Sequence, residues 1–243
     1  MLSSLTVDGY KNPMQCGLVI VGAGSGARLG LPVRKAMVPL GSHPLIVTTA
    51  RRFAGIDRIL EVVLVAHSDD CEELSGDDSR TALSGLKVAA VVPGGANRTD
   101  SVQAGVAALS INIDSVLIHD AARPFVTRRE IEAVLDALAS GAEGAFPSVP
   151  LTSTIKRIDS LSRVTGTVDR SELVAALTPQ GAKRDLLLHA LAQVGDAPPT
   201  DEMQSLESVG VAPLAVQGDV MNFKITTQSD LELARRLMGD LSS

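Results

Sequence analysis

Aromatic side chains are nearly absent from this chain. Its 243 residues include no Trp, one Tyr and four Phe, whereas proteins that bind single-stranded nucleic acid stack bases on aromatic platforms. With 22 Lys+Arg against 28 Asp+Glu, a net charge of −6, it also lacks the positive field that neutralises a phosphate backbone. Both shortages argue against a nucleic-acid partner. Cysteine is scarce: Cys16 and Cys71 are too few for a disulfide framework and read as buried thiols of a reducing cytoplasm. No apolar run reaches the roughly 18 residues a membrane span needs. Residues Met1–Pro13 show no basic start followed by an apolar stretch, so no secretion signal is expected. His43, His67, His119 and His189 are scattered, without a zinc spacing such as H-E-x-x-H. Neither G-x-S-x-G nor a Walker P-loop occurs, which argues against an α/β-hydrolase and against P-loop kinases.

What is present is an ordinary globular composition, 45% apolar and 21% charged, of a length that suits one domain over residues 1–243. Short β-branched runs apolar on both faces read as buried parallel strands: Gly17–Val21, Ile59–Ala66, Leu86–Val92, Ser115–Ile118 and Gly144–Val149. Helical patterns lie between them, about Pro44–Ala54, Asp70–Leu83, Thr99–Leu109 and Thr127–Ala139. Thr127 with Glu130 has the capping-box spacing, and so does Thr227 with Asp230. The alternation predicts a mostly parallel α/β sheet with helices on both faces, its strand-end loops gathered at one edge. Leu151–Arg170 breaks the pattern: polar and loosely alternating, it reads as an extended β arm or hairpin. Beyond it we expect a turn and helix over Leu173–Val194, a helix over Thr200–Val209, strands near Leu214–Val216 and Asn222–Thr226, and a C-terminal helix to about Met238.

Three loops concentrate chemistry. From Gly9 to Ile56 there is no Asp or Glu, yet there are six basic residues, Lys11, Arg28, Arg34, Lys35, Arg51 and Arg52. Within this stretch the Gly-rich Gly22–Gly41 follows a strand. Glycines let backbone N–H groups approach phosphate oxygens, and Arg and Lys neutralise their charge, which is the pattern of a polyphosphate cradle. A dinucleotide turn would need an acidic residue about 20 positions on, and the first acid after Gly24 is Asp57. Pro93–Gly105 is a second Gly-rich turn opening a helix. It suits a base or phosphate at the helix N-terminus, or a plain turn capped by Thr99 or Asp100. In Ser115–Thr127, Asp120 lies just past a strand end, where it suits a hard divalent cation or a salt bridge to Arg123.

Together these segments resemble the 2-C-methyl-D-erythritol 4-phosphate cytidylyltransferase family. The matching motifs are GxGxRxG at Gly24–Gly30 with Lys35 beyond it, PGGxxRxDSV at Pro93–Val102, HDAARP at His119–Pro124, TIKR at Thr154–Arg157, TVDR at Thr167–Arg170, TPQ at Thr178–Gln180, TDE at Thr200–Glu202 and NxKIT at Asn222–Thr226. Eight in family order are specific where one would be weak. The resemblance implies a Rossmann-like nucleotidyltransferase fold, transfer of CMP from CTP to methylerythritol phosphate with release of pyrophosphate, a requirement for Mg²⁺ or another divalent cation, and a homodimer with exchanged arms. It further implies that Arg28, Lys35, Arg170 and Lys224 are catalytic. Ala23, Gly24, Gly26, Gly95 and Ser101 would line the nucleotide site. Thr154, Arg123, Thr178 and Thr200 would join Arg170 and Lys224 at the acceptor, and Asp120, with Asn222 nearby, would bind the metal.

The chemistry is consistent with that assignment. A phosphate monoester is largely ionised at pH 7, so it attacks a phosphorus without a general base, and catalysis rests on positioning and charge neutralisation. Two departures stand out. The family usually has Pro before the catalytic Lys, and here it is Arg34, expected to add charge and change the loop. Where Asp usually precedes the Thr of the arm motif, here it is Ser153. Ribitol 5-phosphate cytidylyltransferases share the fold and nucleotide loops and form the nearest rival. A nucleotide-binding protein without turnover is the rival from another class.

Overall fold

The computed structural model describes residues 14–24, 30, 32–193 and 199–240, with the Asp240 side chain left aside. Three buried strands form its centre: β1 (Cys16–Val21), β4 (Ile59–Ala66) and β6 (Ser115–Asp120), joined in parallel with β5 (Val88–Pro93) outside β4. The sheet order is β5-β4-β1-β6-β11-β7-β10, with β7 at Gly144–Pro150, β10 at Val174–Ala176 and β11 at Gln180–Lys183. β12 (Leu214–Gln217) pairs with β7 in parallel. β11 runs antiparallel between β6 and β7, and β10 antiparallel to β7.

Strand alternation divides the core in two. Leu18, Ile20 and Leu64 face one side, where α1 (Leu45–Ala50) contributes Ile46 and Val47, α2 (Cys71–Ser75) Leu74, and α5 (Arg128–Ala139) Ile131 and Leu135. Val19, Val63 and Val65 face the other, under Val102 and Val106 of α4 (Arg98–Ala107), Leu187 of α6 (Arg184–Ala192) and Leu206 of α7 (Glu202–Ser208). A third cluster of Val38, Leu40, Phe125 and Ile225 lies beneath α8 (Gln228–Asp240). No described helix is long and apolar enough to cross a membrane.

Several expectations change. Pro44–Ala54 is α1 followed by a 3-10 turn at Arg51–Phe53, with Gly55 at φ 73° beyond it. The helix expected over Asp70–Leu83 is interrupted at Gly76, whose ψ of 170° is extended, leaving α2 and α3 (Asp77–Ala82). Leu173–Val194 holds the two short strands β10 and β11 before its helix. Asn222–Thr226 is a loop rather than a strand, tied by Ile225 N donating to Ala122 O at 2.9 Å. An unexpected two-residue pairing joins β2 (Pro39–Leu40) to β3 (His43–Pro44). Cys16 is buried, and burial pushes its thiol up to about 12, but Cys71 is only partly buried.

The arm is a hairpin of β8 (Ile155–Ile158) and β9 (Val164–Val168), antiparallel and separate from the main sheet. Ile158, Leu161 and Val164 stand more than half exposed on it.

Candidate active site

The parallel strands end at one edge, where the loops after β1, β4, β5 and β6 meet the segment before α8. Between them lies a cleft of about 610 Å³, within the usual size of a small-molecule site. Of the residues expected at the site, Ala23, Gly24, Lys35, Gly95, Ser101, Asp120 and Lys224 line it, together with Asn97, Arg98, His67 and Thr226. Arg28 and Gly26 lie outside the described residues.

Close backbone approach shapes one wall. A Cβ on Gly94 would stand 2.2 Å from Ala23 Cβ, and one on Gly95 2.2 Å from Asp100 Cβ, distances no side chain tolerates. The two glycines therefore let the loop after β5 pack against the loop after β1 and against the first turn of α4. Gly95 N donates to Ser101 Oγ at 3.1 Å. The cap of α4 is neither Thr99 nor Asp100: Asn97 Oδ1 accepts from Asp100 N at 2.9 Å. Asn97 is the better cap because its side chain reaches the backbone N–H three residues on.

Asp120 is the electrostatic centre. It is 7% exposed, and Lys224 Nζ stands 2.9 Å from its Oδ2, Arg123 Nε 3.4 Å from the same oxygen and Arg98 Nη2 3.3 Å from Oδ1. Burial alone would raise its proton affinity, but Arg98, Lys224 and Arg123 outweigh it and hold its carboxyl well below the usual carboxylate range. Behind it, Thr178 Oγ1 accepts from Asp120 N at 3.2 Å and lies 2.8 Å from His119 Nδ1, while His119 Nε2 lies 3.1 Å from Arg123 O. Since a carbonyl only accepts, Nε2 carries the proton and Nδ1 accepts from Thr178. Burial lowers the His119 imidazole to about 4.

Arg98 lies inside the second loop motif, where the resemblance assigns it no role. It opens α4 and forks onto Glu202 of α7, with Nη1 to Oε1 at 2.5 Å and Nη2 to Oε2 at 3.0 Å. Burial opposes its charge, but Glu202 and Asp120 more than offset that, and it holds its proton more tightly than a free guanidinium. Glu202 itself is 2% exposed, and burial pushes its carboxyl up against the pull of Arg98. Glu202 N donates to Gln180 Oε1 at 3.0 Å, and Gln180 Nε2 to Asp201 Oδ2 at 2.9 Å, which docks α7 on β11.

The other expected residues do not line the cleft. Thr178 and Arg123 are spent in the wall as buttresses of Asp120, Arg123 also donating to Asn222 O at 2.8 Å. Asn222 is fully buried, and its Nδ2 donates to Glu130 Oε1 at 3.0 Å and to Thr178 O at 2.8 Å. Its Oδ1 has no partner. The Asn222 side chain thus anchors the loop that carries Lys224. Thr200 is exposed and bonded to Gln204 Oε1, 3.0 Å from its Oγ1. Thr154 and Arg170 are exposed on the arm, Arg170 donating to Thr152 O. Among the described residues no group of three His, Cys, Asp or Glu forms a metal cage.

The chain is similar to known proteins in sequence and in fold. Residues 16–240 match the model of the family described as IspD, 2-C-methyl-D-erythritol 4-phosphate cytidylyltransferase. The chain is 39% identical over 222 residues to the 2-C-methyl-D-erythritol 4-phosphate cytidylyltransferase of Chromobacterium violaceum, covering 91% of this chain and 96% of that one. To the bifunctional enzyme IspD/IspF of Clavibacter michiganensis it is 38% identical over 234 residues, 96% of this chain but only 57% of the longer relative. Its fold superposes on the crystal structure of 2-C-methyl-D-erythritol 4-phosphate cytidylyltransferase from Thermus thermophilus with a TM-score of 0.74 at 28% identity, covering 93% of this chain and 100% of that one. Fold, motif order and these matches agree, and the chain belongs to the IspD 2-C-methyl-D-erythritol 4-phosphate cytidylyltransferase family.

Proposed function

We propose that this chain transfers CMP from CTP to 2-C-methyl-D-erythritol 4-phosphate and releases pyrophosphate, a step of isoprenoid precursor synthesis. The observation that carries the reading is the convergence of Lys35, Arg98 and Lys224 on a glycine-walled cleft around Asp120, the one carboxylate that lines it among the described residues. An acceptor phosphate oxygen attacks the α-phosphorus of CTP. The new P–O bond forms as the bond to the β-phosphate breaks, and the electron pair leaves on pyrophosphate. Charge builds on non-bridging oxygens, where fixed cations stabilise it most. Lys35 and Lys224 neutralise that charge, with Arg28 in the same role from the loop after β1. Ala23, Gly24, Gly26, Gly95 and Ser101 seat the nucleotide. His67 lines the cleft with its Nδ1 turned to Asp69 N at 3.3 Å, and an ionised acceptor needs no base from it.

The donor set suits Mg²⁺. Asp120 is an ionised hard oxygen donor on the cleft, and Mg²⁺ is commonly held by one or two carboxylates plus substrate phosphates. Bound there, the ion would neutralise triphosphate charge. Asn222 would support it only through the loop it anchors. The exposed apolar side chains of the arm favour packing on a second copy, as an exchanged-arm homodimer that brings Thr154 and Arg170 to the partner's acceptor site beside Thr200. The cytoplasm, with its reduced thiols, is the compartment that fits Cys16 and Cys71.

The test is product identification by ³¹P NMR with Mg²⁺, CTP and methylerythritol phosphate. The expected signals are those of a pyrophosphate diester and of free pyrophosphate. Turnover with ribitol 5-phosphate instead would replace the acceptor in this reading, and binding of CTP with no product would replace catalysis by nucleotide binding alone.

A further inference from the structure

Arg34 stands immediately before Lys35, where a free charge beside the phosphate site would be expected from the sequence. Its guanidinium is instead fully committed. Nε donates to Asp70 Oδ2 at 2.7 Å and Nη2 to Asp70 Oδ1 at 2.6 Å, while Nη1 stands 3.2 Å from Asp69 Oδ2. The Asp70 side chain is 8% exposed, so the paired fork is shielded on one side. Forked Arg–carboxylate pairs fix orientation as well as distance. This one ties the loop after β1 to the loop after β4, and neither residue lines the cleft. On the Arg34 side, its carbonyl accepts from Met37 N at 2.9 Å and opens the 3-10 turn Lys35–Met37. On the Asp70 side, the same short loop carries His67, a cleft residue.

The backbone at Arg34 has φ −62° and ψ 143°. That φ is the one a proline ring imposes, but here nothing covalent fixes it. We infer that the Arg34–Asp70 fork is a positioning device for Lys35: it holds the residue before the lysine in a proline-like conformation and so aims Lys35 into the cleft. Arg34 and Asp70 are positioning residues, and the inference rests on the role proposed for Lys35.

The test uses the full chain with three single variants and two combinations of them. Asp70→Asn removes the charge and half of the fork while keeping its shape, and Arg34→Ala removes the other partner. Each is expected to lower kcat on the order of 10- to 100-fold, the scale of a misplaced catalytic group, with KM for the acceptor unchanged. Combined, they should cost no more than one alone, as partners in a single interaction do. Arg34→Pro is expected to keep kcat near that of the unaltered chain and to make it insensitive to Asp70→Asn. Amide exchange at Met37 and Val38, read with no substrate present, should quicken in Asp70→Asn and return to its original rate in Arg34→Pro/Asp70→Asn. Unchanged exchange in Asp70→Asn would overturn the inference, and so would additive losses of kcat. If the unaltered chain does not turn over CTP, the proposed function fails while the exchange measurement still decides the clamp.

Discussion

Lys224 Nζ lies 2.9 Å from Asp120 Oδ2, and this ion pair joins the loop before α8 to the end of β6 at the floor of the cleft. Replacing the carboxylate leaves Lys224 and Arg123 facing one another without their counter-charge, while Arg98 keeps only Glu202. Asp120→Asn is therefore expected to lower kcat by about 100-fold or more, the scale of a lost preorganised charge. It should also weaken the dependence of rate on Mg²⁺ concentration. Steady-state kinetics with a Mg²⁺ titration reads both, and a variant with unaltered kcat and Mg²⁺ dependence contradicts the role.

Arg98 and Glu202 make a different prediction, because the half-buried guanidinium is forked onto a fully buried carboxylate. Glu202→Ala removes the forked partner of Arg98 and leaves that half-buried guanidinium on its one contact to Asp120, a loss of about 1–3 kcal/mol. Denaturant unfolding should show that loss. Glu202→Gln, which preserves the shape, should lose less stability but weaken CTP binding, since Arg98 then leans wholly on Asp120. Equal stability in Glu202→Ala and the unaltered chain would mean the pair contributes nothing.

His119 sets a pH dependence of stability. Its imidazole is lowered to about 4 in the fold, against about 6.5 in an unfolded chain. Between those values the unfolded state binds a proton that the native state refuses, so stability falls as pH drops from about 6.5 to about 4. The contribution is at most about 3 kcal/mol and is fully present above about pH 7. Urea unfolding at a series of pH values should show this slope, and His119→Gln should flatten it. A slope unchanged by the substitution would place the titration elsewhere.

The arm can be tested by complementation. With exchanged arms, a mixed dimer of Lys35→Ala and Arg170→Ala subunits contains one cleft with both residues intact, because each cleft takes its arm from the other copy. Mixing the two inactive variants under subunit exchange should restore turnover. No recovery, with mixed dimers confirmed by mass, would mean the arm serves its own cleft or none.

The distribution of what can be read from sequence follows the range of the interactions. β1, β4 and β6 are legible because burial on both faces leaves continuous apolar runs. The capping box of α5 is legible because Thr127 and Glu130 are three residues apart. That same Glu130 also holds Asn222, and no local pattern announces a contact of that separation. β10 and β11 are three and four residues long and contain Val-Ala-Ala and Gln-Gly-Ala-Lys, too short and too poor in β-branched residues to signal a strand. They form because pairing on β6 and β7 overrides propensity. At the site, the glycines, Lys35, Asp120 and Lys224 are found through motifs, and seven expected residues share one cleft. Arg98 lies within a motif in plain view, but its partner Glu202 belongs to another element, so only the fold reveals the pairing. The charge of Arg34 is visible in the sequence and its neutralisation by Asp70 is not, for the same reason.

In the proposed mechanism, charge neutralisation by Lys35 drives transfer of CMP to methylerythritol phosphate. Its most direct test is continuous pyrophosphate release with Mg²⁺, comparing the unaltered chain with Lys35→Ala, and CTP with the other nucleoside triphosphates. Release is expected with CTP and methylerythritol phosphate together, little with other nucleotides or with ribitol 5-phosphate, and kcat should be lower by about 100-fold or more in a folded Lys35→Ala variant. Near-normal release by Lys35→Ala, or release that does not depend on methylerythritol phosphate, would contradict it.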